Sequence, residues 1–282
     1  MSDIGTVGLL IIISNVIFSY KGFEDWQFID KYKFRVKDIL IRKDYKRIIS
    51  SGFLHVNWTH LLFNMFSFYS FARILEQQLG SLIFSLIYFV SLIAGNLLAL
   101  FIHRNHSNYS AVGASGAVSG IIFAAIALFP DIRLGILFLP IGIPSWLFGL
   151  LYISYTLYSI KSQNDNIGHE AHLGGAILGM ITAIILYPSS LSINYVPILL
   201  TLIPTLIFVF FIIYKPDFLL LKKPFLTKQK GYETIDDKYN TQKVMDQKEF
   251  DVLLEKINKK GIDNLTAKEK QKLDEYSRNY RK

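Results

Sequence analysis

The 282-residue sequence contains no cysteine. Disulfides and thiolate metal sites are therefore excluded, and the redox compartment cannot be read from thiols. Charge is also scarce, at 18% of residues against about 25% in an ordinary soluble domain. It is nearly missing from the middle of the chain, where Arg73, Arg104, Arg133 and Lys161 are the only basic residues between 56 and 214. Eight of the 30 Lys and Arg fall instead in residues 22–55 and sixteen in residues 222–282. The basic pI of 9.4 thus reports loops and a tail beside lipid head groups, not a nucleic-acid surface. Charged residues within several spans and inverted repeats are both lacking, which argues against a transporter. What remains is 51% hydrophobic and 15% aromatic, with a mean hydropathy of +0.34. That composition predicts a polytopic membrane protein of all-α class.

Ile4–Tyr20 is apolar but lacks the basic start and small-residue cleavage site of a signal peptide, so it reads as a retained first helix. Residues 22–55 mix basic and aromatic residues, a pattern that suits the membrane interface. A second helix is expected over 56–79 and a third over Leu82–Ile102. The fourth begins near Ser115 and stops at Phe129-Pro130-Asp131. Pro140 and Pro144 make a helix over Leu134–Pro144 improbable on steric grounds, so the fifth runs from Ser145 to near Ile160 and the sixth from Glu170 to Tyr187. Tyr195–Tyr214 reads as a seventh span kinked by Pro197 and Pro204, with a re-entrant hairpin as the alternative. In the tail, Phe250, Leu253, Leu254 and Ile257 form a helical stripe that Gly261 would cap. Thr266 and Glu269 make a capping box for a second short helix carrying Leu273, Tyr276 and Tyr280. The expected domains are a six-helix membrane domain over 1–190, an additional transmembrane or re-entrant segment over 191–221, and a basic soluble tail over 222–282.

Polar side chains stranded in apolar helices are costly and tend to be functional. Ser115 lies in the first turn of the fourth helix, where unpaired N–H groups and the positive dipole end favour a developing anion. Gly113 and Gly116 flank it and admit close backbone approach. His60 and Asn64 share a face of the second helix, with His55 before them, and His169 and His172 lie one turn apart at the start of the sixth. Serine needs an imidazole to take its proton, and a tetrahedral oxyanion needs donors. The set therefore supplies a nucleophile in Ser115, a base in His172 and an oxyanion cradle in His60 and Asn64. Zinc is the competing reading of the histidines. The chain has no His-Glu-x-x-His, and Asn64 and Ser115 are poor ligands, so neither metal nor cofactor is expected. Gly116, Gly120 and Ala124 on the fourth helix, and Gly175, Gly179 and Ala183 on the sixth, recur at every fourth residue. Packed against each other, these faces would bring Ser115 and His172 together near one end.

His55-x4-His60-x3-Asn64, Gly113-Ala114-Ser115-Gly116 and Ala171-His172-Leu173-Gly174-Gly175 occur in that order on the second, fourth and sixth helices. Jointly they resemble the rhomboid intramembrane serine proteases over roughly residues 40–187. The resemblance implies a six-helix core, here with a seventh span and a short helical tail. It also implies a Ser115–His172 dyad without an acid, an oxyanion pair in His60 and Asn64, and Gly113 and Gly116 as motif glycines. Arg47 would match an arginine of the first loop, and Glu76 a glutamate that orders that loop. The substrates implied are transmembrane proteins cleaved in or near their membrane segments, met in the lipid bilayer of a bacterial inner membrane. A rhomboid-like protein that binds or escorts clients without cleaving them is the alternative. Ser119 departs from the family, which often has an aromatic residue there against the catalytic histidine. The family orientation puts the amino terminus in the cytoplasm and the first loop outside. The positive-inside rule objects, since residues 22–55 and 222–282 are both net basic. The sequence carries no signal for the oligomeric state.

Overall fold

A computed structural model describes residues 4–136, 139–162 and 168–215, together with 253, 254, 256–258, 264–266, 269, 270 and 273 of the tail. The chain divides into two compact units, Met1–Lys228 and Gln229–Lys282.

The first unit opens with α1, Thr6–Glu24. The first loop then folds into α2 (Trp26–Tyr32), β1 (Phe34–Arg35), α3 (Val36–Leu40), α4 (Arg47–Ser50) and a 3-10 turn at Ser51–Phe53. Arg47 gathers this loop. Its guanidinium donates to the carbonyls of Asp30 and Lys33, both at 2.8 Å, and meets the carboxylates of Asp44 at 2.9 Å and Asp38 at 3.2 Å. Those bonds fix irregular backbone that has no ladder of its own, which is why a loop this polar holds one shape.

The next 45 residues form α5, Trp58–Ile102, started by the Asn57 side chain accepting from the His60 N–H at 2.8 Å. Gly80 breaks the run with φ 77°, a value that glycine adopts without steric cost. The two halves correspond to the second and third helices read from the sequence. β2 (Ser110–Ala111) then pairs antiparallel with β1, tying the first loop to the approach of α6, Ser115–Leu128. Every residue from Gly116 to Ala127 is buried, so α6 runs through the middle of the bundle. At 14 residues it is about 21 Å long, shorter than a hydrocarbon core of about 30 Å.

After Pro130 the chain makes a hairpin of β3 (Arg133–Ile136) and β4 (Leu139–Pro144). The sequence excluded a helix there without indicating strands, because the run has neither alternating polarity nor an Asn-Gly type of turn. α7 follows over Ser145–Ser162, α8 over His169–Leu186, α9 over Ser189–Ile193 and α10 over Tyr195–Tyr214. α10 is one unbroken helix of 20 residues, about 30 Å. Pro197 sits in its first turn, where a missing N–H costs little, and Pro204 lies inside it. Thr6–Glu24, Trp58–Ile102, His169–Leu186 and Tyr195–Tyr214 are long and apolar enough to cross a bilayer. The first unit is therefore an all-α polytopic membrane bundle, with the two small strand pairs as its only sheet among the described residues.

Close packing at its centre follows from glycine. A Cβ at Gly175 would fall on the Gly116 carbonyl, one at Gly179 on the Gly120 backbone, and one at Gly95 on the Ala171 carbonyl. α5, α6 and α8 thus meet backbone to backbone. One expectation fails. The Glu76 carboxylate accepts from the Val7 and Gly8 N–H groups at 2.9 and 2.8 Å and from the Ser81 hydroxyl at 2.8 Å. It closes the amino-terminal end of α1 and does not order the first loop. Sixteen residues separate it from His60 along α5, so it lies about 24 Å away, and free N–H donors at a helix start attract a carboxylate wherever one is in reach.

In the second unit, Leu253, Leu254 and Lys256–Asn258 are helical. The capping box forms: the Glu269 carboxylate accepts from the Thr266 N–H at 2.7 Å, and the Thr266 hydroxyl accepts from the Glu269 N–H at 3.4 Å. Lys256 Nζ reaches the same carboxylate at 2.6 Å. The Lys256 ammonium first, and the Thr266 donors after it, hold Glu269 down to about 2. Phe250, Gly261, Tyr276 and Tyr280 lie outside the described residues.

Candidate active site

Ser115 is the first residue of α6, and no side chain caps that helix start. The first-turn N–H groups are therefore left for another acceptor. Ser115 remains partly accessible while the twelve residues after it are buried. Its hydroxyl lies 2.7 Å from His172 Nε2, a distance that permits direct proton transfer. The glycine contacts below set this spacing: Gly116 faces the Ala171 carbonyl, and Gly175 faces the Gly116 carbonyl. His172, between them in sequence, is thereby delivered over the start of α6.

Gly113 holds φ 140°, and a Cβ there would come within 2.9 Å of His60 Cε1 and 3.1 Å of His60 Nε2. Both the backbone conformation and the imidazole therefore demand glycine. The Gly113 N–H donates to the Ser51 carbonyl at 3.0 Å, which anchors the strand leading into Ser115 to the first loop. His60 is in turn backed by His55, whose ring lies edge-on at 4.9 Å. His55 Nδ1 pairs with the Ser19 hydroxyl of α1 at 2.9 Å. Burial first, and the nearby His60 second, push the His55 imidazole down to about 3, so it is a neutral support near pH 7. Asn64 sits one turn below His60 and donates to the His60 carbonyl at 3.0 Å. The structure thus gathers Ser115, His172, His60 and Gly113 at one spot, with Asn64 a turn deeper and Gly116 in the α6–α8 contact.

Three groups escaped the sequence reading. Tyr152 of α7 stacks on His172 with ring centroids 5.7 Å apart and 26° between planes, and its hydroxyl is 2.7 Å from that of Ser119. Among Tyr152, Tyr155 and Tyr158 no spacing singles it out. Glu170 is buried with His103 Nε2 at 3.2 Å and the Tyr109 hydroxyl at 3.4 Å, and the His103 ring lies flat on Tyr109 at 3.5 Å. An acidic residue in the first turn of an apolar helix was the available signal for this cluster. Asn15 and Ser19 are fully buried on α1, and only Ser19 reaches the site.

A family model described as a Rhomboid domain matches residues 42–189, over half the chain, and a family of unknown function, DUF6576, matches residues 233–279. The mitochondrial Rhomboid protein 1 of Saccharomyces cerevisiae is 30% identical over 163 residues, 55% of this chain and 47% of that protein. The mitochondrial RHOMBOID-like protein 12 of Arabidopsis thaliana is 30% identical over 149 residues, 48% of this chain and 44% of that protein. YdcA of Bacillus subtilis, a candidate rhomboid protease, is 34% identical over 137 residues, 48% of this chain and 64% of that protein. The chain spans about half the length of the curated relatives it matches.

Proposed function

Because the chain belongs to the rhomboid family, we propose that it is an intramembrane serine endopeptidase acting through Ser115 and His172. The 2.7 Å approach of His172 Nε2 to the Ser115 hydroxyl is the observation that carries this reading. His172 takes the hydroxyl proton as Ser115 Oγ bonds to the scissile carbonyl carbon. The carbonyl oxygen becomes an oxyanion at the open start of α6, facing the Ser115 N–H, the His60 ring and the Asn64 amide. The imidazolium returns its proton to the departing amine as the C–N bond breaks, and water then cleaves the acyl-enzyme with His172 again as base.

The substrates are membrane proteins, cut in or beside a transmembrane segment. A helix must unwind locally to present its carbonyl, so helix-weakening residues are expected near the cut. The shortness of α6 supports a site recessed from the lipid surface, reached by water past the half-buried His60 and Ser115. The protein is multi-pass, and the membrane proposed for it is bacterial, as for its Bacillus subtilis relative. The tail is proposed as a separate module.

The test is cleavage of a model transmembrane substrate in liposomes. Wild type should cleave and should react with a fluorophosphonate at Ser115, read by mass spectrometry. Ser115→Ala and His172→Ala should each lose cleavage while eluting as folded protein. Full activity in purified Ser115→Ala, or the label on another serine, would sink the assignment.

A further inference from the structure

The His172 ring has one hydrogen bond to steer it. Nε2 faces Ser115, and Nδ1 is buried with no hydrogen-bond partner among the described residues. The Glu170 carboxylate, two residues earlier and so on the far side of α8, is committed to His103 and Tyr109. A single bond leaves an imidazole free to swing about it, and a base that swings loses its line to the proton. Orientation must come from packing. His169 meets the ring edge-on at 5.2 Å and 78°, and Tyr152 covers its face at 5.7 Å and 26°.

The Tyr152 ring is itself fixed at both ends. Phe148, one turn earlier on α7, stacks along it at 6.3 Å and 18°. Its hydroxyl joins the Ser119 hydroxyl at 2.7 Å, and Ser119 donates to the Ser115 carbonyl at 2.6 Å. The nucleophile's own helix turn, the tyrosine and the base thus form a closed loop of contacts: Ser115, Ser119, Tyr152, His172 and back to Ser115. We propose that Tyr152, supplied by α7 and tethered through Ser119, is the positioning residue that holds the base in register with the nucleophile. Its electron-rich face also stands where positive charge appears when His172 takes the proton, and an aromatic face attracts a cation. A ring at 152 thus serves both alignment and the charged intermediate, while the hydroxyl serves alignment alone.

This inference rests on the Ser115–His172 reading, and the experiment separates the two. Full-length wild type, Tyr152→Leu, Tyr152→Phe, Ser119→Ala and the double variant Ser119→Ala/Tyr152→Phe are compared for kcat and KM on one transmembrane substrate. Fluorophosphonate labelling rate and thermal midpoint are measured alongside. Tyr152→Leu should lose about 10- to 100-fold in kcat, the scale of a misaligned catalytic group, with KM unchanged because binding is not touched. Its labelling should slow in parallel. Tyr152→Phe keeps the ring and should lose only about 2- to 5-fold, as should Ser119→Ala, and the double variant should be no worse than Ser119→Ala, since each single change already removes the Tyr152–Ser119 bond. A role in packing alone would let Leu and Phe serve equally. Wild-type kcat in folded Tyr152→Leu overturns the proposal. Additive losses across Ser119→Ala and Tyr152→Phe do so too, which decides the matter even if Tyr152→Leu fails to fold. Wild type that neither cleaves nor labels overturns the protease reading and this proposal together, whereas an active wild type matched by Tyr152→Leu overturns this proposal alone.

Discussion

At the scale of residues, His60 and Asn64 stand in unequal positions toward an oxyanion. The His60 ring lies against Gly113, next to Ser115. Asn64 has already given one of its amide protons to the His60 carbonyl and has one left. Loss of an oxyanion donor costs about 10- to 1,000-fold in kcat. The expectation is that His60→Ala falls near the upper end and Asn64→Ala near the lower, measured by steady-state cleavage. The reverse order would show that Asn64 is the principal donor. His55 makes a prediction about pH. Its imidazole titrates near 3 in the folded protein against about 6.5 ordinarily, so the unfolded chain binds the proton first as pH falls. Its contribution to stability is complete above pH 6.5 and is lost between 6.5 and 3, by up to about 1.4 kcal/mol per unit. In detergent, the thermal midpoint of wild type should fall between pH 7.5 and 4.5, and that of His55→Gln should fall less. Equal slopes would mean that other groups govern the acid limb.

At the scale of elements, the catalytic distance is a product of how α5, α6 and α8 touch. Their glycines let backbones meet where any side chain would hold them apart. Gly179→Leu should separate α6 from α8 and pull His172 off Ser115, and Gly120→Leu should do so while also striking Ser91 of α5. Overpacking costs about 1–3 kcal/mol. A lowered thermal midpoint and lost cleavage are both expected, and a variant that keeps wild-type values for both would show that the contact is slack. The long helices were legible in the sequence to within a few residues, since each is an apolar run ended by glycine, proline or a polar connector, whereas the short α2, α3, α4 and α9 carry no such run and were not. The β3–β4 hairpin was not, because its residues carry no pattern that separates a strand from an apolar turn. Tyr152 stayed hidden for a related reason. A tyrosine in a helix already rich in aromatics declares nothing about its partner.

At the scale of the whole molecule, the orientation across the bilayer is proposed from the family: Ser115 opens outward, on the side of the first loop. The positive-inside rule opposes this because that loop is basic. Within the folded loop, however, Lys33, Arg35, Arg42, Lys46 and Arg47 are all paired with Asp30, Asp38 or Asp44, so few of its cations stand free. A chain without cysteine suits labelling. Lys37 and Asp131 are both exposed, and they lie beyond opposite ends of α6. An impermeant maleimide on intact cells should modify Lys37→Cys and should reach Asp131→Cys only after lysis. The opposite pattern would invert the proposed orientation.

The sequence by itself determined the membrane class, the bounds of the long helices, the small-residue faces and the short list of polar residues able to do chemistry. Each of these depends on neighbours within a turn or two, where periodicity and local sterics act. Tertiary structure alone decided that Ser115 and His172 stand 2.7 Å apart. It also decided that Glu76 closes α1 and leaves the first loop to Arg47, that His103 and Tyr109 hold Glu170, and that the ring over the base comes from α7. Those outcomes turn on how far each helix is rotated and how closely it is crossed by the next. Both are set by the summed packing of whole faces, which no spacing along a single chain segment records.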